Sequence, residues 1–131
     1  MLFLPRVLAE LGLGRFEQAK ADAQLGMRLS PRDPWLGTFY LYTGQAELAF
    51  GHADAAIAQF RLAIDSGFHG YQAYAYLAAS NAQAGRMDEA KEALAEARRL
   101  NPKLTVKWMI EHTSGVPAVL DGLRKAGLPE E

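Results

Sequence analysis

The residues able to do chemistry are few and scattered. The three histidines are His52, His69 and His112. Two fall at turns and one near a helix end; no pair has the i, i+4 spacing of a helical metal site, and no HExxH motif occurs. They read as solvated loop histidines. Cysteine is absent, which removes disulfides, thiolate nucleophiles and cysteine metal sites. Ser30, Ser66, Ser80 and Ser114 lack the strand–turn–helix setting of a nucleophile elbow. Gly12-Leu13-Gly14 lacks the third glycine and the preceding strand of a phosphate-binding loop. Asp88-Glu89 resembles a catalytic pair only until it is placed. It opens a helix, where acids favour the dipole. No catalytic residue, metal or cofactor is expected, and the chain reads as non-catalytic.

Composition narrows the remaining classes. The 131 residues are half apolar, which fits one domain with a substantial core. Fourteen basic residues face 15 acidic ones, without the basic stripe that nucleic-acid binding needs. The opening MLFLPRVLAELGLG is interrupted by Pro5 and Arg6 and has no basic region ahead of an apolar one, unlike a signal peptide. No stretch approaches the roughly 18 apolar residues of a membrane span. The expectation is a cytoplasmic protein with no nucleic-acid or membrane partner. The chain begins inside a helical pattern, as a segment of a longer protein would.

The elements that organise these residues are found by spacing. Gly14, Gly51 and Gly85 each stand five residues before an alanine, in Gly14-Arg15-Phe16-Glu17-Gln18-Ala19, Gly51-His52-Ala53-Asp54-Ala55-Ala56 and Gly85-Arg86-Met87-Asp88-Glu89-Ala90. The glycines are 37 and 34 residues apart. Downstream positions keep step: Ala23, Phe60 and Leu94, then Gly26, Ala63 and Ala97. Leu29 and Leu100 are each followed two residues later by proline, Pro31 and Pro102, while the middle unit has Phe68.

This period and pattern resemble the tetratricopeptide repeat, in which each unit is a pair of antiparallel helices. Ala56-x3-Phe60 matches the family's second-helix signature, and Gly44 supplies the small residue of the first helix. The third unit has Tyr74-x2-Leu77-Ala78 and Ala90-x3-Leu94. Glu47 and Asn81 depart from the usual tyrosine, and Pro5, Arg6 and Val7 blur the first unit. The predicted fold is an all-α solenoid of about three helical hairpins, at about residues 1–31, 34–68 and 70–102. Helices are expected near 2–12, 15–29, 34–50, 53–66, 70–84 and 87–100, with Asp33 capping the helix that Pro34 begins. A lone hairpin cannot bury its apolar face, so the units must stack.

Residues 103–131 do not repeat and form two amphipathic capping helices of the same domain. The first carries Leu104, Val106, Trp108, Met109 and Ile110. The second is capped by Ser114, opens at Pro117, carries Val116, Val119, Leu120 and Leu123, and closes at Gly127 and Pro129. Both are expected on the exposed face of the last repeat. Three segments also resemble the C-terminal repeat region of bacterial class III adenylate/guanylate cyclases. They are Arg28-Leu29-Ser30-Pro31-Arg32-Asp33-Pro34, Asn101-Pro102-Lys103-Leu104-Thr105-Val106, and the stretch from Leu120 to Glu130. That likeness implies a regulatory or scaffolding segment of a signalling protein, without cyclase activity in this chain. The alternative is a free-standing repeat adaptor or chaperone-like protein.

In such folds the first helices of successive units line a protein-binding groove. Helical spacing assigns Thr38, Leu41, Tyr42, Gln45 and Ala49 to it from the middle unit, and Gln72, Ala75, Tyr76, Ala79 and Gln83 from the third. Neither helix carries Lys or Arg, so this groove cannot grip acidic chain ends as basic clusters do. The expected partner is a neutral, partly apolar protein segment anchored on Tyr42 and Tyr76; the competing reading packs these residues repeat against repeat. The apolar leading helix, with Leu2, Phe3, Leu4, Val7, Leu8 and Leu11, is predicted to make homodimer contacts.

Overall fold

The computed structural model describes residues 3–32, 34–113 and 115–131. Among the described residues the chain forms eight α-helices and no strand. They are α1 (Phe3–Gly12), α2 (Phe16–Leu29), α3 (Leu36–Ala49), α4 (Ala53–Asp65), α5 (Tyr71–Gln83), α6 (Met87–Leu100), α7 (Val106–His112) and α8 (Pro117–Ala126). The first six pair as α1·α2, α3·α4 and α5·α6, and each pair stacks on the next through α2·α3 and α4·α5. This is an all-α stack of helical hairpins.

One turn geometry recurs at all three hairpins. Gly14, Gly51 and Gly85 have φ of 77°, 82° and 80°. That left-handed conformation costs other residues a Cβ clash, but not glycine. After each glycine the next amide bonds back five residues: Arg15 to Glu10 at 2.8 Å, His52 to Glu47 at 2.9 Å and Arg86 to Asn81 at 2.9 Å. These bonds satisfy carbonyls that a helix end leaves unpaired. The spacing in the sequence and the geometry in space thus mark the same residue.

Small residues then set how closely the helices approach. Gly44 lies against the buried ring of Phe60, where a Cβ would collide with it. Ala19, Ala56, Ala63, Ala78, Ala90 and Ala97 are fully buried between helices. Glycine and alanine at these positions bring backbones together, so packing compensates their small individual burial.

The helix bounds differ from expectation at one place that matters. Pro34 and Trp35 lie in a turn, and α3 begins at Leu36 rather than at Pro34. The extra residues of the middle unit are spent in this turn, which leaves Trp35 half-exposed at the head of α3. The predicted cap Asp33, like Ser114 and Leu2, lies outside the described residues.

The tail does not take the place expected for it. α8 lies on α5 and reaches α3, on the side formed by the first helices of the units. Gln83 Nε2 donates to the Ala118 carbonyl at 3.0 Å. A Cβ on Gly122 would sit 2.5 Å from the Ala79 carbonyl oxygen. The two contacts run in opposite chain directions, so α8 is antiparallel to α5. Val119, Gly122, Leu123 and Ala126 are buried there. The amphipathic face seats in the groove where the small Ala79 lets the Gly122 backbone come close.

The chain end locks this arrangement. The Val106 and Lys107 amides donate to the Pro129 and Glu130 carbonyls at 2.9 and 3.0 Å, and the Trp108 amide donates to Thr105 Oγ1 at 3.0 Å. All three free amides of α7's first turn are thereby satisfied. Trp108 Nε1 donates to the Tyr71 hydroxyl at 2.8 Å, tying α7 to the head of α5.

Gly122→Ala tests the α8 seat. Alanine favours the helix by about 1 kcal/mol over glycine, but its methyl meets the backbone of Ala79, which cannot move aside. Overpacking of this kind costs about 1–3 kcal/mol. The expected outcome is a net loss of stability in urea titration, in contrast to the gain an exposed helical glycine would give.

Candidate functional site

α8 divides the groove in two. Over the third unit it covers the predicted site residues. Ala75, Tyr76 and Ala79 are buried, and Gln83 is engaged by Ala118. In the middle unit Leu41 and Gln45 are buried as well. These six residues are packing and docking positions rather than a free ligand face. Gln72 and Ala49 are half-buried and lie outside the cleft described next. Tyr76, 3% exposed, stacks its ring 5.5 Å from that of Phe60. Burial foremost, then the neighbouring Tyr71 and Tyr42 hydroxyls, push its own hydroxyl far above the ordinary range. It is a core aromatic, not an anchor.

The other half stays open. Leu4, Pro5 and Leu8 from α1 and Thr38 and Tyr42 from α3 line a cleft of about 500 Å³, together with Trp35. Thr38 and Tyr42 are the two predicted groove residues that line it. Leu8 is 43% exposed and Trp35 51% exposed. Burial raises the Tyr42 hydroxyl above its ordinary value, so it remains protonated and able to donate at neutral pH. Among the described residues no charged side chain lines the cleft.

Sequence reasoning named Leu8 only as part of an apolar helix and did not name Trp35 or Pro5 as site residues. The available signal was Trp35 itself, a large aromatic residue in a turn just before a repeat's first helix, outside any apolar periodicity. Much of the described apolar face of α1 is used internally. Leu4, Val7 and Leu11 are buried where α1 packs on α2 and α3. Among the described residues of this end, Leu8 and, in the turn beyond, Leu13 are the large apolar side chains left exposed.

The cleft walls are held by buried charge. Glu10 and Glu47 occupy the same position, four residues before a turn glycine, and Asn81 is the third of the set. All three are buried. The Asn81 amide returns to the Leu77 carbonyl of its own helix at 3.1 Å. The two acids instead bind the neighbouring helix. Arg6 Nε lies 3.0 Å from Asp22 and 3.7 Å from Glu10, joining α1 to α2. Burial, then the hydrogen bond and repulsion from Asp22, raise the Glu10 carboxyl above its ordinary value. Glu47 pairs with Lys20 of α2 and with His52, the latter at 3.1 Å. Burial alone raises its carboxyl, but the bonds from Lys20 and His52 outweigh that and hold it below the ordinary value.

Neither a protein-family model nor a curated protein sequence matches this chain. No helix of the described residues is long and apolar enough to cross a membrane. Among those residues no three His, Asp or Glu side chains converge as metal ligands.

Two expectations separate these roles. Tyr76→Ala removes a fully packed ring and is expected to cost about 3–5 kcal/mol of stability, whereas Tyr42→Phe leaves the melting curve nearly unchanged. For Glu47 the sign follows from its lowered carboxyl. Its stabilisation is complete above about pH 4.5, the ordinary value, and is lost as pH falls through the lowered one. Glu47→Gln therefore flattens the acid side of the stability profile in denaturant titrations. At neutral pH it costs about 1–2 kcal/mol, less than a wholly buried pair because Lys20 is partly exposed.

Proposed function

We propose that this chain is a non-catalytic protein-interaction module of tetratricopeptide type, holding a neutral, partly apolar segment of another protein in the cleft between α1 and α3. One observation carries the reading. Among the described residues the cleft is lined without charge and rimmed by two large, partly exposed side chains, Leu8 and Trp35. Soluble proteins seldom leave such residues clustered about a concavity unless something binds there. A tryptophan beside a tyrosine is the composition of an interface hot spot. The absence of Lys and Arg from α3 and α5 favours a neutral partner over an acidic chain end.

The three segments similar to the repeat region of class III nucleotide cyclases support a more specific setting, a regulatory or scaffolding part of a cyclase-like signalling protein. The alternative is a free-standing adaptor. The reading frame upstream of Met1 separates them: an adjoining cyclase domain establishes the first, and its absence favours the second.

The binding role is tested by affinity capture from the native extract with wild type and with a Leu8→Glu/Trp35→Ala double variant. Recovery is expected to fall on the order of tenfold or more, the effect of removing hot-spot residues. Arg61→Ala, on the opposite side between α4 and α6, serves as the control that leaves recovery intact. Equal recovery by the double variant overturns the proposal.

A further inference from the structure

We infer that the occupant of the α1–α3 cleft is an amphipathic α-helix of a partner protein, with apolar residues at i, i+3, i+4 and i+7. The inference rests on the reading of that cleft as a binding site and adds the conformation and pattern of what binds.

Two observations point to a helix. The first is a shortage of hydrogen-bonding partners. Every residue of an extended segment brings one N–H and one C=O that must be satisfied when water is excluded. Among the described residues the cleft offers the hydroxyls of Thr38 and Tyr42 and the indole of Trp35, with Leu4, Pro5 and Leu8 forming the rest of its walls. Beyond their first turns the flanking helices α1 and α3 are bonded internally. A strand laid here would bury peptide groups with too few partners, and each unmet group costs more than a typical hydrogen bond contributes. A helix arrives with its backbone bonded to itself.

The second observation is the neighbouring stretch of the same groove, which already holds a helix. α8 lies on α5 and extends to α3, the helix that forms one wall of the cleft. Its buried residues Val119, Gly122, Leu123 and Ala126 stand at i, i+3, i+4 and i+7. Asp121, Arg124 and Lys125 face water. The cleft shares α3 with this interface, and Tyr42 and Tyr76 stand at the same repeat position in the two units. A partner helix in the cleft would extend the row that α8 begins. Leu8 and Trp35, at the rim, call for larger apolar side chains than the glycine that lets α8 settle on Ala79.

Three fluorescent 14-residue peptides of matched charge test the inference on the full chain. One is a helix former with Leu at i, i+3, i+4 and i+7 and Lys/Glu elsewhere. The second is the same peptide with a central proline. The third alternates Val and Thr as a strand. Anisotropy gives affinity, and amide and Trp35 indole NMR shifts give the site. The helical peptide is expected to bind saturably, with shifts at Leu8, Trp35, Thr38 and Tyr42. The proline and strand peptides should bind on the order of tenfold or more weakly, and Trp35→Ala should weaken the helical peptide similarly with its melting curve unchanged. Equal or tighter binding of the strand peptide in the cleft overturns the helix inference and leaves the binding site standing. Binding of none of the three, or shifts elsewhere, overturns both. A doubling of mass in light scattering with shifts at the same residues names a second copy as occupant and also overturns the inference.

Discussion

Everything in this fold depends on reversing a helix three times at the same place in its sequence. Gly14, Gly51 and Gly85 adopt the left-handed conformation, and the following amide bonds back across the turn. Without that reversal the paired helices could not lie side by side, and the small residues that let them touch would face water. The turn therefore precedes the packing logically: it sets register, and register decides which alanine meets which ring. Gly44 against Phe60 is one product of that register, and the inward side of Ala56, Ala78 and Ala90 is another.

The same register repeats a polar position in the core. Glu10, Glu47 and Asn81 all stand one helical turn before a reversal, and each resolves its burial differently. Asn81 returns to its own helix. Glu47 draws a cation from the preceding helix, and Glu10 shares a cluster with Arg6 and Asp22. The two acidic solutions cross between helices, so they fasten α1 and α3 to α2 on either side. That fastening spaces the cleft walls. The polar residues Glu47 and Asn81 at this repeated position were legible in the sequence. Their shared role was not, because it depends on Lys20, Asp22 and Arg6, which follow no repeat.

The groove illustrates a different limit. Helical spacing identified the side of α3 and α5 that faces it, and Thr38 and Tyr42 do line the open part. Spacing treats successive repeats as equivalent, and the tail breaks that equivalence. α8 packs chiefly on the third unit and leaves the head of α3 open, so Tyr42 and Tyr76, identical in type and repeat position, end half-buried and buried. The amphipathic pattern of α8 showed that it needed a partner surface. It did not show which surface, and the structure seats α8 where Gly122 meets the backbone of Ala79.

The sequence by itself determined the helices, their pairing and the absence of positive charge from the groove, because these follow from local period, turn chemistry and residue type. Only the tertiary structure decided where the groove is filled and where it is open. That outcome turns on which surfaces reach van der Waals contact, and on a turn around Pro34 that starts α3 late and leaves Trp35 at the rim. Such contacts join residues tens of positions apart, and no local pattern carries their geometry.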